Sequence, residues 1–168
     1  MAKHRQEIAL LLGLILCAGI AFTAAPAKRA DRIVIEKAKR TLTLMSGGEI
    51  LKVYKVALGG QPVGAKERQG DHKTPEGIYS VDRKNPNSIF HRALHLSYPS
   101  AGDRERARKL GVSAGGDVEI HGLGAKYGFV GSAHRLHDWT DGCIAVTNEE
   151  IDEIYALVEQ GTVVEIRP

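Results

Sequence analysis

The sequence predicts a mainly β domain with one or two helices, and three observations predict it. Short runs of alternating apolar and polar residues recur, as at 32–36 (RIVIE) and 41–45 (TLTLM). Glycine and proline break the chain between such runs, most clearly at Gly47-Gly48 and Gly59-Gly60-Gln61-Pro62. Clear helical spacing is confined to a stretch near the C-terminus, at Ile151, Ile154, Tyr155 and Val158.

Taken in order, residues 32–36 and 41–45 each read as a strand. Gly47-Gly48 supplies the positive-φ positions of a hairpin turn, and residues 50–58 (ILKVYKVAL) form the return strand. Its alternation puts Leu51 and Val53 on one face and Ile50, Tyr54 and Val56 on the other. A glycine- and charge-rich loop follows through Asp71. Residues 77–81, 93–97 and 117–120 are further strands, the last ending at His121. Arg104, Arg106, Arg108 and Lys109, interrupted by Glu105, read as the solvated side of a short helix. Thr147-Asn148-Glu149-Glu150 has the pattern of a capping box, with Thr147 as N-cap and Glu150 reaching back. Residues 162–166 close the chain as a strand.

The N-terminus sets the expected compartment. Lys3 and Arg5 precede an apolar run, residues 8–22, which gives way to small residues around Ala25-Pro26-Ala27. This is the layout of a secretory signal. The uncharged stretch 8–27 is also about long enough to span a bilayer, so a retained membrane anchor is the alternative. Either way, residues 28–168 form a single exported domain. Without residues 1–27, which carry Lys3, Arg5 and Glu7, the formal charge falls from +3 to +2. So balanced a chain lacks the strong basic face of a nucleic-acid binder. Cys17 lies in the apolar segment, which leaves Cys143 as a lone thiol in an oxidising compartment.

Cys143 follows Thr140-Asp141-Gly142, and a histidine-glycine pair, His121-Gly122, lies upstream. A cysteine matched with an imidazole is the minimal kit for nucleophilic acyl transfer. Gly122 lets the chain turn away after the histidine, and Asp141-Gly142 suits a tight turn before the thiol. Gly142 permits close backbone approach, so the amides of Gly142 and Cys143 are candidate donors to a developing oxyanion.

These residues resemble the L,D-transpeptidase catalytic domain family, the YkuD-type enzymes of peptidoglycan. That family carries His-Gly, a spacer, then Ser/Thr-x-Gly-Cys. The segment Gly70-Asp71-His72-Lys73-Thr74-Pro75-Glu76-Gly77-Ile78-Tyr79 resembles its second recurrent block. The resemblance spans residues 32–168 and implies a β-sandwich-like fold that needs no cofactor. It implies that Cys143 attacks a stem-peptide carbonyl and forms a thioester with loss of D-alanine. An amine on another stem, or on a lipoprotein, then takes the acyl group. It further implies His121 as general base, Gly122 as its orienting carbonyl and Thr140 as a residue shaping the loop. Asp141 stands where many members have histidine, and Ala145 where many have arginine or asparagine. Both changes bear on recognition of acceptor and carboxylate. The Asp-Trp-Thr-Asp-Gly-Cys run is closer to a proteobacterial subgroup that includes hydrolysing members. A cysteine-dependent amidase or carboxypeptidase on the same fold is therefore the alternative.

His134-Arg135-Leu136-His137-Asp138 offers a second candidate cluster. With His121 and Cys143 it contains zinc-type ligands, which makes a zinc-dependent cell-wall peptidase a further alternative. The spacing matches no recognised zinc signature, so no metal is assigned. Arg135 is a candidate for holding a substrate carboxylate. His137 is a candidate for bonding to the loop, and Trp139 reads as a packing anchor.

Overall fold

The computed structural model describes residues 28–168, and the expected signal or anchor at 1–27 lies outside the described residues. Ile33, Val34 and Ile35 are buried in succession, as a strand covered on both faces requires. They lie in β1 (Ala30–Glu36), which pairs antiparallel with β2 (Thr41–Ser46) and parallel with the last strand, β8 (Val158–Arg167). β3 (Glu49–Lys55) returns along β2 through the turn at Gly47 and Gly48, whose φ values are 58° and 82°.

The β2–β3 ladder slips between Leu44 and Met45, leaving Leu51 as an extra residue. Such a bulge reverses the phase beyond it. Ile50 therefore leaves the face of buried Tyr54 and is 65% exposed, contrary to the alternation read from sequence. The expected return strand also ends early, at Lys55. Beyond it, Ala57 and Gly59 make isolated bridges to Ala145 and Thr140.

β4 (Gly77–Ser88) joins the halves of the sheet. Its first residues, Gly77 to Ser80, pair with β8, and the rest pair with β5 (His91–Leu96). The register shifts between Val81 and Arg83, a bulge of the kind that bends a strand. β6 (Glu119–His121) and β7 (Ile144–Ala145) complete the order β3-β2-β1-β8-β4-β5-β6-β7. The core brings together Ile33, Leu42, Leu44, Tyr79, Leu94, Ile120, Ile144 and Val164 from across this sheet. The mainly β class is as expected.

The helices are α1 (Ala101–Lys109), the short α2 (Gly124–Tyr127) and α3 (Asn148–Leu157). The expected capping box is present: Glu150 N–H donates to Thr147 Oγ1 at 3.3 Å, and Thr147 N–H donates to Glu150 Oε2 at 2.9 Å. Ile151 and Ile154 bury the inner face of α3. Val158, expected on that face, instead opens β8 and is fully buried there. A second capping box, Ser100 with Asp103, starts α1 ahead of the basic run. A 3-10 segment, Gly128–Leu136, follows α2 and is kinked at Gly131. Neither α2 nor this segment was expected.

Ile120 and Ile144 face each other across β6 and β7 and are both fully buried. Replacing Ile120 by Ala is expected to cost about 2–5 kcal/mol. The check is a lower urea midpoint at unchanged slope. A change well under about 1 kcal/mol would contradict the packing described.

Candidate active site

β6 and β7 run parallel, with Ile120 opposite Ile144 and His121 opposite Ala145. Side chains alternate along a strand, so the buried isoleucines fix the other face. Glu119, His121 and Ala145 therefore project to that opposite side, and Cys143 immediately precedes β7. Two elements distant in sequence thereby bring the segments that carry the predicted thiol and imidazole side by side.

The His121 ring is buried and stacked on Phe90, with centroids 4.3 Å apart and planes 28° apart. Its Nδ1 lies 2.6 Å from the Gly122 carbonyl oxygen. A carbonyl can only accept, so Nδ1 carries the proton and Nε2 offers a lone pair. Burial holds the imidazole below its ordinary value of 6.5, and the Gly122 carbonyl partly offsets this. His121 is therefore neutral at neutral pH. Gly122 tolerates no side chain: an added Cβ would lie 2.7 Å from Asn148 Oδ1 and 2.8 Å from the Phe90 carbonyl. Asn148 Oδ1 also accepts the Leu123 N–H at 2.8 Å, which fastens the turn to the start of α3.

Thr140 organises the other loop. Its hydroxyl donates to the Cys143 carbonyl at 2.7 Å and accepts the Gly142 N–H at 3.1 Å. The Gly142 amide is thus already engaged, which corrects the expectation that it is free for an oxyanion. Among the described residues, no protein acceptor takes the Cys143 amide. Gly142 has φ 132°, and an added Cβ would sit 2.6 Å from the Lys73 carbonyl. Gly59 packs as tightly, with its Cβ position 2.3 Å from the His72 carbonyl. The Gly59 N–H donates to Thr74 Oγ1 at 3.0 Å. The segment around Thr74-Pro75 thus forms a backing against which the cysteine loop is pressed.

The Cys143 thiol donates to the Asp117 carbonyl at 3.5 Å. Burial pushes it up to about 11 from an ordinary 9.0, with Glu119 and Asp141 adding to the effect and the Glu119 amide and Lys66 opposing it. It lines a polar cavity of about 320 Å³ that also takes in Lys66, His72, Asp117 and Asp141. Asp141 is exposed and accepts from His72 Nδ1 at 2.6 Å. A second, apolar cavity of about 440 Å³ is lined by Leu123, Tyr127, Val130, His134 and Trp139. Trp139 meets His121 edge-on at 6.1 Å, so the imidazole lies beside this second cavity.

The His134–Asp138 run disperses. Arg135 pairs with Glu150, the capping residue of α3. His137 is exposed at the end of the 3-10 segment. His134 is buried and accepts from Trp139 Nε1 at 3.5 Å, and burial holds it down to about 4. Asp138 accepts from the Leu58 amide and from Arg40. Among the described residues, no group of three His, Cys, Asp or Glu converges as metal ligands would. The sequence reading passed over Phe90, Asn148, Lys66 and Glu119. Glu119 stands two residues before His121, Asn148 lies within the capping box at Thr147, and Lys66 stands near the Gly70–Tyr79 block, but none of these motifs signals a site role for them.

The model of the YkuD family, the L,D-transpeptidase catalytic domain, matches residues 30–166. The chain belongs to this family. YafK of Escherichia coli strain K12, itself classed with the L,D-transpeptidases, is 36% identical over 133 residues, covering 75% of this chain and 46% of YafK. The helical cell shape determining protein Pgp2 of Campylobacter jejuni superposes with a TM-score of 0.62 at 26% identity, over 83% of this chain and 48% of Pgp2. An L,D-transpeptidase from Xylanimonas cellulosilytica gives a TM-score of 0.55 at 16% identity, over 84% of this chain and 62% of that one, a likeness of fold alone. This chain spans slightly less than half the length of YafK and of Pgp2.

Two predictions follow from the site. A protonated thiol near neutrality means that alkylation of Cys143 by iodoacetamide accelerates about tenfold per pH unit between neutrality and pH ~10. A rate already level near pH 7 would contradict this and indicate a preformed thiolate. Gly142→Ala combines a clash with a strained φ, and is expected to lower the urea midpoint by an amount equivalent to about 1 kcal/mol or more. An unchanged midpoint in that variant would show that the loop does not need its close approach to Lys73.

Proposed function

We propose that this chain is a cysteine L,D-transpeptidase that acts on peptidoglycan stem peptides through a thioester on Cys143. The observation that supports this reading is the β6–β7 register, which sets His121 opposite Ala145, two residues beyond Cys143. With Nδ1 committed to the Gly122 carbonyl, Nε2 is the atom available to a thiol.

The neutral thiol and neutral imidazole favour general-base catalysis over a resting ion pair. Sγ attacks the donor carbonyl as its proton passes to His121 Nε2. The Cys143 amide donates to the developing oxyanion, an interaction of a kind worth about 3–4 kcal/mol of transition-state stabilisation. The carbon–nitrogen bond then breaks, the leaving amine takes the proton from Nε2, and a thioester remains. An incoming amine from a second stem, or from a wall-linked lipoprotein, attacks the thioester. It passes its extra proton to His121, and the thiol is restored. Thr140 holds both sides of the turn throughout. Asp141, with His72, stands at the mouth of the donor cavity.

Water in place of the amine makes the same machinery a peptidoglycan amidase or carboxypeptidase. The apolar cavity beside His121 is the space from which either acceptor would approach. The cell-shape designation of Pgp2 and the apolar N-terminal segment support a site of action in the cell envelope, with the chain exported to the periplasm and the segment cleaved or kept as an anchor.

The deciding experiment is intact-mass spectrometry of residues 28–168 with a disaccharide-tetrapeptide, beside Cys143→Ala and His121→Ala. The expected result is a mass increase equal to the donor less D-alanine, absent in Cys143→Ala and formed at least about a hundredfold more slowly in His121→Ala. Turnover that survives Cys143→Ala would overturn the reading and favour the zinc-peptidase alternative. Cross-linked products assign transpeptidation, and release of D-alanine or of a linked peptide without cross-links assigns hydrolysis.

A further inference from the structure

We propose that Lys66 binds a carboxylate of the donor peptide beside Cys143, an assignment that rests on the acyl-transfer reading above. Lys66 is buried, with 4% of its side chain exposed, and it lines the cavity that holds the thiol. Its ammonium lies 3.6 Å from the position a Cβ on Gly142 would take, which places it directly behind the cysteine loop.

The partnership that holds Lys66 is unequal. Asp71 accepts from Lys66 at 2.8 Å and also from the amides of Glu67, Arg68 and Lys73 at 2.8, 3.1 and 3.1 Å. Its two oxygens are thereby fully used. Burial opposes ionisation of Asp71, but the Lys66 ammonium and these amides outweigh it and hold the carboxyl down to about 2. An ammonium carries three donors, and among the described residues Asp71 is the acceptor that meets Lys66. The lysine thus retains hydrogen-bonding capacity that its partner lacks. A buried ammonium is costly to keep, and apolar packing alone would not require it.

Among the groups lining the cavity, Lys66 is the buried cation, and the two aspartates at its exposed side each face a histidine. His72 and Asp141 hold each other at 2.6 Å, and Asp117 Oδ1 lies 3.4 Å from His95 Nε2. Ala145, two residues beyond the thiol, is fully buried and carries no charge. An anion drawn into this cavity therefore meets Lys66. A stem donor has suitable carboxylates on the departing D-alanine and, where the diamino acid is diaminopimelate, at its distal centre. Both offer the same chemistry, a carboxylate within a few bonds of the attacked carbonyl.

The test compares donors within each variant, so a loss common to all donors cancels. Wild type, Lys66→Gln and Lys66→Arg are each given a tetrapeptide, the same peptide ending in D-alaninamide, and one with lysine in place of diaminopimelate. Formation of the Cys143 acyl-enzyme is read as kcat/KM. Wild type is expected to prefer the relevant carboxylate about tenfold or more, the range of a hydrogen bond to a charged group. In Lys66→Gln that preference falls to about twofold or less, and in Lys66→Arg it persists. The donor whose preference collapses identifies which carboxylate is bound. Equal use of all three donors by wild type overturns the proposal and leaves the acyl-enzyme reading standing. So does a preference that survives unchanged in Lys66→Gln. If that variant does not fold, the wild-type comparison still decides, together with Lys66→Arg. Absence of a Cys143 adduct with every donor means that the underlying reading has failed, and the Lys66 assignment fails with it.

Discussion

A parallel pairing two residues long brings together the two segments that carry the candidate base and nucleophile. Ile120 and Ile144 both enter the core, and strand alternation then sends His121 and Ala145 to the other side, with Cys143 just before β7. A slip of one residue in this register would turn an isoleucine out of the core. The hydrophobic effect thus sets the register on which the candidate site depends. So short a ladder could not hold its register alone. It is secured by Ala57, whose N–H and carbonyl exchange hydrogen bonds with Ala145 at 3.0 and 2.9 Å, and by the Val146 N–H on the His121 carbonyl at 3.0 Å.

Around that register the loops are fixed by close backbone contact more than by side-chain packing. Gly59 and Gly142 lie against the carbonyls of His72 and Lys73, and Gly122 lies against Phe90 and Asn148. At these positions the missing Cβ is the structural requirement, because a methyl group would displace backbone. The polar side chains then lock what the glycines permit. Thr140 bridges the cysteine turn, Asp138 ties Arg40 to the Leu58 amide, and Asp71 gathers three amides and one ammonium. The reactive pair stays uncharged at neutral pH because burial disfavours both the thiolate and the imidazolium. In the proposed mechanism, proton transfer is thereby deferred to the moment of attack.

The strands that bury an apolar face were legible, since alternation and the glycine turn report burial directly. The capping box at Thr147 was legible because a cap is local chemistry. The far half of β4 was not: Arg83-Lys84-Asn85-Pro86-Asn87 shows no apolar alternation, and it is held by pairing with β5. α2 and the 3-10 segment begin without a side-chain cap and contain glycine, so no local signal announced them. Of the candidate site, His121 and Cys143 stood out because their residue types carry the chemistry, and the roles of Gly122 and Thr140 came from the family resemblance. Arg135 could be read only as a free cation, and its partner Glu150 is a matter of tertiary structure. Phe90 and Lys66 escaped notice for the same reason: nothing in their sequence neighbourhoods shows that one stacks on the imidazole and the other lines the thiol cavity.

The proposed chemistry requires His121 to rest as a neutral base with its proton on Nδ1 and its lone pair on Nε2. Nitrogen-15 NMR of the histidine rings through a pH series, with His121→Gln to assign the signal, tests it most directly. The expected result is the Nδ1–H tautomer at neutral pH, with protonation only below the ordinary 6.5. An imidazolium that persists at neutral pH, or a proton found on Nε2, would contradict it.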